Sequence, residues 1–188
     1  MTSTEGLLLV DLQPAYLGRG SCGLMQRVFD HIASLPADTP LIAMYVHEEL
    51  SGDFLEDVQD FWRRQGASDE LVERIQWVEK DYAFLRGWMD NGVDDETIIT
   101  VLQKMQCLRK TDSRDLEEPL LEELAPHRPQ YDPLIMSEYV FDAVRDMRGT
   151  ASHWYTCGGC LEACLKEVKL VLEAEKLDYS QLSHLTYC

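Results

Sequence analysis

Short apolar runs alternate with amphipathic stretches in the first part of this chain. Residues 6–12 read GLLLVDL and residues 40–47 read PLIAMYVH, and continuous apolar runs of this length predict buried strands. Between them, residues 24–35 carry apolar positions at helical spacing and stop before Pro36. The pattern therefore predicts a strand, a helix and a second strand, with Asp11 near the C-terminal end of the first strand.

The remaining pattern continues this alternation with more charge. Residues 53–88 combine charged and aromatic side chains, which predicts two or more amphipathic helices, and Asp94 or Asp95 is placed to cap a further helix through about Met105. The later predicted elements are an acidic helical segment over 112–124, a proline-rich loop over 125–133, strands over 134–139, 152–156 and 182–187, and a helix over 161–175. We expect a single α/β domain over residues 1–188, with three layers: a mostly parallel, Rossmann-like sheet covered by helices on both faces.

Composition narrows the range of partners. The chain of 188 residues has 34 acidic and 17 basic side chains, so its net charge is −17. Such a charge repels nucleic acid and anionic membrane surfaces, and we expect neither as a partner. Residues 1–5 lack the basic start and apolar stretch of a signal peptide, which predicts a cytoplasmic location. The six cysteines are accordingly expected to be free thiols.

Three of these cysteines lie within residues 156–164, which read TCGGCLEAC. Here a predicted strand leads through Gly158-Gly159 into a helix, with Cys164 in the first helical turn. Unpaired N–H groups at a helix start can bind an oxyanion, and the helix dipole lowers the pKa of a nearby thiol. Cys164 is thus a candidate nucleophile, and the alternative is a buried core cysteine. Asp11 is the candidate base, because strand-end carboxylates face the ligand crevice of parallel sheets.

Three rival chemistries fit the same segment less well. Cys157 and Cys160 form a CxxC pair, but few residues follow for the later strands of a thioredoxin-type fold. His153, Cys157, Cys160 and Cys164 offer four soft zinc ligands, but no second ligand pair accompanies them. The glycine pair lacks the surrounding pattern of a phosphate-binding loop. We therefore expect neither a metal nor a cofactor.

Both ends of the chain resemble the isochorismatase-like cysteine hydrolases. Residues 7–13, LLLVDLQ, are similar to the family's opening strand, hydrophobic-hydrophobic-Asp-x-Gln. Residues 158–165, GGCLEACL, are similar to its nucleophile turn, Gly-Val-x-Thr-x-x-Cys-Val, with the same glycine-to-cysteine spacing. Residues 50–130 carry no match. Relative to the family, the chain is expected to be shortened at its C-terminus.

The resemblance implies a catalytic group of Asp, Lys and Cys. Asp11 would be the base and Cys164 the nucleophile, and a cis peptide between Gly159 and Cys160 would expose the N–H groups of Cys160 and Cys164 as an oxyanion hole. The family's lysine lies just after the third strand. At residues 136–139 this chain reads MSEY, so Glu138 is the nearest equivalent and a lysine is expected to be missing.

Two functional hypotheses follow. The first is a metal-independent cysteine hydrolase that acts on a small amide, ureido or related substrate, with Gln13, His47 and Tyr139 contacting the substrate. The second is a catalytically impaired member of the same fold that binds a small molecule or a protein. In either case the resemblance implies a homo-oligomer.

Overall fold

A computed structural model describes residues 5–17, 23–47, 53–80, 85–111 and 138–187, and for residues 106–111, 138, 139 and 141 it describes the backbone alone. The strands are β1 (Glu5–Val10), β2 (Leu41–Val46), β3 (Gln76–Lys80), β4 (His153–Cys160) and β5 (Tyr179–Tyr187). The helices are α1 (Leu24–Ser34), α2 (Leu55–Arg64), α3 (Asp69–Arg74), α4 (Arg86–Asp90), α5 (Asp95–Thr111), α6 (Glu138–Met147) and α7 (Cys164–Ala174).

These strands form one parallel sheet in the order β3-β2-β1-β4-β5. β1 lies at the centre, between β2 and β4, and every residue of β1 after Glu5 is buried. Because all strands run in the same direction, their C-terminal ends meet at one edge of the sheet. Asp11, Lys80 and Cys160 therefore lie along the same edge.

Alternate strand residues pack into two separate cores, one on each face of the sheet. Leu8 and Val10 join a core with apolar residues of α4, α5, α6 and α7. Leu7 and Leu9 join the opposite core with residues of α1, α2 and α3. The three-layer α/β arrangement expected from the sequence is thus confirmed at the level of a parallel sheet covered on both faces.

One strand was not expected. The sequence pattern predicts helices throughout residues 53–88, but β3 interrupts them and pairs with β2, from Ile42 opposite Gln76 to Val46 opposite Lys80. The charged side chains of this segment suggested a helix face exposed to water. In the structure Val78 and Lys80 are buried, and pairing with β2 outweighs the polar composition.

The predicted strand over 134–139 is wrong at its end, because residues 138 and 139 begin α6. The remainder of that segment, and the elements predicted over 112–133, lie outside the described residues. The other predicted strands and helices occur with shifted ends; β5, for example, begins three residues earlier than expected. None of the helices in the described part of the chain is both long and apolar enough to cross a membrane.

Candidate functional site

Asp11 is the first residue after β1 and adopts a left-handed backbone conformation, with φ of 52°. Its N–H donates to the Met44 carbonyl at 2.9 Å, and its carbonyl accepts a 2.7 Å hydrogen bond from the Tyr187 hydroxyl. Left-handed backbone is uncommon outside glycine, and such strain is concentrated at functional sites. The two bonds hold the backbone of Asp11 from β2, which neighbours β1, and from β5, which lies two strands away on the other side.

The glycine pair brings β4 unusually close to β1. Gly158 has a φ of 95°, and a Cβ at this position would lie 2.1 Å from the Val10 carbonyl oxygen. A Cβ on Gly159 would lie 3.3 Å from the Cβ of Cys164. Position 158 needs both a positive φ and the absence of a Cβ, and only glycine provides both. The resulting close approach of the strands places the start of α7 beside the end of β1.

Lys80, the last residue of β3, completes this cluster. Its ammonium Nζ lies 3.2 Å from Asp11 Oδ2, and the side chains of both residues are fully buried. The expectation that the chain lacks a lysine here is wrong. The resemblance implies a lysine just after the third strand, and β3 is the third strand of the described residues, whereas Glu138 begins α6. Within β3 only Trp77 and Val78 are strand-favouring residues, which is a weak signal in the sequence.

Cys164 lies at the first position of α7 and is half-buried. The pKa of its thiol is raised to about 12, first by burial and then by the negative charge of Asp11, while Lys80 acts to lower it. The prediction that this pKa is lowered is therefore wrong, because removal from water disfavours the charged thiolate. In the resting site the thiol keeps its proton, next to a carboxylate that can accept it.

The Lys80 ammonium remains charged despite complete burial. Burial lowers its pKa, but the attraction of the acidic groups around it, Asp11 first, outweighs this effect, and the net shift is upward. A buried ammonium with a raised pKa is a fixed positive charge over the working pH range. It offsets the charge of Asp11 and opposes the rise in the thiol pKa.

Sequence reasoning also missed Glu167, one turn after Cys164 on α7. The residue is 1% exposed, and its Oε1 accepts a hydrogen bond from the Leu85 N–H at 2.9 Å. Its Oε2 is buried and accepts no hydrogen bond from the described residues. Burial raises the pKa of Glu167 to about 7, with Lys80 acting in the opposite direction. Helical spacing from Cys164 is the one sequence signal that relates Glu167 to the site.

The surroundings of two predicted substrate contacts, Gln13 and His47, are described. Gln13 is buried: its amide donates to the Val46 carbonyl at 3.1 Å and to Asp53 at 2.9 Å, and its oxygen accepts from the Val46 N–H at 2.7 Å. These bonds tie the ends of β1 and β2 together. His47 follows β2, and its ring meets Phe54 edge to face. For both residues substrate contact stays a prediction.

The side chains of Glu138 and Tyr139 lie outside the described residues, so their predicted roles also stay predictions. The peptide between Gly159 and Cys160, expected to be cis, is trans.

Two of the cysteines considered as zinc ligands, Cys157 and Cys164, lie on opposite faces of the sheet. Cys157 is fully buried in the core beside α1, α2 and α3, whereas Cys164 packs against the opposite core. His153 pairs with Asp178 at 2.8 Å. Within residues whose positions are described, no group of three His, Cys, Asp or Glu side chains is arranged to hold a metal ion.

Comparisons with protein-family models, curated proteins and solved structures found no match to this chain.

Proposed function

We propose that this protein is an isochorismatase-like cysteine hydrolase that cleaves a small amide, ureido or related substrate. Cys164 is the nucleophile, Asp11 is the base, and Lys80 supplies the compensating charge. One observation carries the proposal: a buried Asp11–Lys80 ion pair lies beside the Cys164 thiol, and the charges of both its members act on that thiol. Ion pairs removed from water beside a potential nucleophile are typical of catalytic sites.

The order of proton transfers follows from the raised pKa of the thiol. A free thiolate is scarce in the resting site, so Asp11 accepts the proton as the sulfur attacks the carbonyl carbon. The C–N bond of the tetrahedral intermediate then breaks, and the leaving nitrogen takes the proton from Asp11. Water, activated by Asp11, hydrolyses the thioester, which releases the acid and restores the thiol.

Two further groups assist these steps. The Lys80 ammonium stabilises the negative charge that appears when the thiol proton leaves. The N–H groups of Cys160 and Cys164, which the resemblance implies as the oxyanion hole, would bind the carbonyl oxygen as it becomes negative.

The test is turnover of a panel of small amides and monosubstituted ureas, followed as ammonia or amine release. We expect Cys164→Ala to abolish turnover of any substrate found, and Asp11→Asn to lower kcat by about 10²–10⁴-fold. Cys157→Ala is the matched control, since Cys157 is also a buried thiol with a pKa raised to about 12 but faces the opposite core. This control is expected to retain turnover.

A covalent intermediate gives a second readout. Acid quenching during turnover, followed by peptide mass spectrometry, is expected to find the acyl group on the peptide that contains Cys164. Turnover that survives Cys164→Ala would contradict the proposal.

A catalytically impaired binding protein is the second candidate, and the protonated resting thiol favours it. This candidate predicts that panel compounds raise the melting temperature without being cleaved. Cleavage lost in Cys164→Ala rules it out.

A further inference from the structure

The site holds more negative groups than its one described ammonium can balance. Asp11 and Lys80 form a neutral pair. Glu167 is also buried, with 1% of its surface exposed, and the charges of Asp11 and Lys80 both act on it. Ionised Glu167 therefore gives the cluster a net charge of −1 before Cys164 loses any proton.

A second negative charge on Cys164 is then costly. Glu167 acts on the thiol directly, since its negative charge raises the pKa of Cys164. The two side chains lie one helical turn apart on α7, and little water separates charges in a buried cluster. Thiolate formation is easier when Glu167 is protonated than when it is ionised.

The hydrogen bonds of Glu167 allow its carboxyl group to carry a proton. Oε1 accepts the N–H of Leu85, and Oε2 accepts no hydrogen bond from the described residues. A buried carboxyl oxygen without a donor favours the neutral acid, because no partner offsets the loss of water around the charge. Oε2 is thus the atom that would carry the proton.

We propose that Glu167 is a positioning residue that controls how readily Cys164 becomes a thiolate: it holds a proton in the resting site, and its ionisation keeps the Cys164 thiol protonated. The importance of Glu167 for catalysis rests on the proposed function. The effect of Glu167 on Cys164 can be measured independently of that function, because the reactivity of the thiol can be followed without a substrate.

The groups that face Glu167 come from each side of the cluster. Asp11 at the end of β1 repels its charge and Lys80 of β3 attracts it. The N–H of Leu85 donates to Oε1, and the backbone of Leu85 and Arg86 at the start of α4 acts to lower its pKa. The residues of α5 and α6 in the same core are apolar. Asp95, at the start of α5, pairs instead with Lys166.

The experiment measures the rate at which iodoacetamide alkylates Cys164, resolved by peptide mass spectrometry, between pH 5.5 and 9.5. Wild-type protein is compared with Glu167→Gln, in which the amide oxygen can still accept from Leu85. We expect equal rates near pH 5.5 and a rate about 3- to 10-fold higher in Glu167→Gln above pH 8. In wild-type protein the logarithm of the rate should rise with a slope below one near pH 7, where Glu167 loses its proton.

Glu173→Gln is the control for net charge. Glu173 is exposed on the same helix and accepts a hydrogen bond from the Tyr179 hydroxyl. Its substitution removes the same formal charge, and the rate relative to wild type is expected to stay constant with pH.

A ratio between Glu167→Gln and wild type that does not change with pH overturns the proposal. If Glu167→Gln does not fold, the wild-type curve decides alone, and a slope of one from pH 6 to 8 overturns it. A chain that cleaves no amide but shows the pH-dependent ratio loses the proposed function and keeps this inference. If the protein cleaves amides but the rate ratio does not change with pH, the proposed function is kept and this inference is lost.

Discussion

The ammonium Nζ of Lys80 lies 3.2 Å from Oδ2 of Asp11, with neither side chain exposed to water. Lys80 closes the short edge strand β3, whereas Asp11 follows the central strand β1, with β2 between them. Burying two opposite charges costs several kcal/mol of hydration free energy each, and their attraction offsets this only in good geometry. Such a pair is weak evidence for stability and better evidence for a site.

Removing Lys80 should destabilise the protein strongly. In Lys80→Met the Asp11 carboxylate remains buried without its partner, and we expect the free energy of unfolding to fall by about 3–5 kcal/mol. Urea denaturation at pH 7 measures this. Lys166→Met is the control, because Lys166 forms its 2.9 Å ion pair with Asp95 near the surface, and about 1 kcal/mol or less should be lost. Equal losses in the two variants would contradict the importance of the buried pair.

Resting Cys164 should react slowly with alkylating agents. A thiol whose pKa is raised to about 12 is almost entirely protonated at pH 8, and we expect iodoacetamide to label it at least about tenfold more slowly than glutathione. Peptide mass spectrometry at several times provides the rate. A rate above that of glutathione would instead support the lowered pKa that the helix start suggested.

Glu167 should make stability depend on pH. Its pKa is raised from 4.5 to about 7, so the folded state binds the proton more tightly than the unfolded state. The resulting stabilisation is fully present below pH 4.5 and is lost as the pH rises through 7. Relative to Glu167→Gln, wild-type protein should lose roughly 3 kcal/mol of unfolding free energy between pH 4.5 and 8. Urea denaturation across this range tests it, and a constant difference between the two proteins contradicts it.

Gly158 should not tolerate a side chain. Gly158→Ala adds a Cβ that would meet the Val10 carbonyl oxygen at 2.1 Å, so β4 would have to move away from β1. Gly149→Ala is the matched control: Gly149 has a similar φ of 86°, and nothing lies within 4 Å of the added Cβ. Both variants bear the cost of a left-handed backbone, and Gly158→Ala should lose about 1–3 kcal/mol more in thermal or urea unfolding. Similar losses would show that the close approach of the strands is not required.

Local patterns identified the central elements correctly. The apolar run of β1 admits no amphipathic helix, and the strand, glycine pair and helix of residues 153–174 follow from short-range preferences. β3 was missed because its five residues carry two charges and a polar amide. A short edge strand gains its stability from pairing with β2, and a local window does not contain that information.

The sequence by itself determined a parallel α/β sheet, with Asp11 at the end of one strand and Cys164 at the start of a helix after a glycine turn. Tertiary structure decided which cation meets Asp11, that Glu167 joins the site, and that the thiol pKa rises rather than falls. The physical reason is the distance along the chain between the residues that interact. Strand and helix formation depend on neighbours a few residues apart, whereas burial and charge depend on residues that folding brings together, as Lys80 and Asp11 are across 69 positions of the chain.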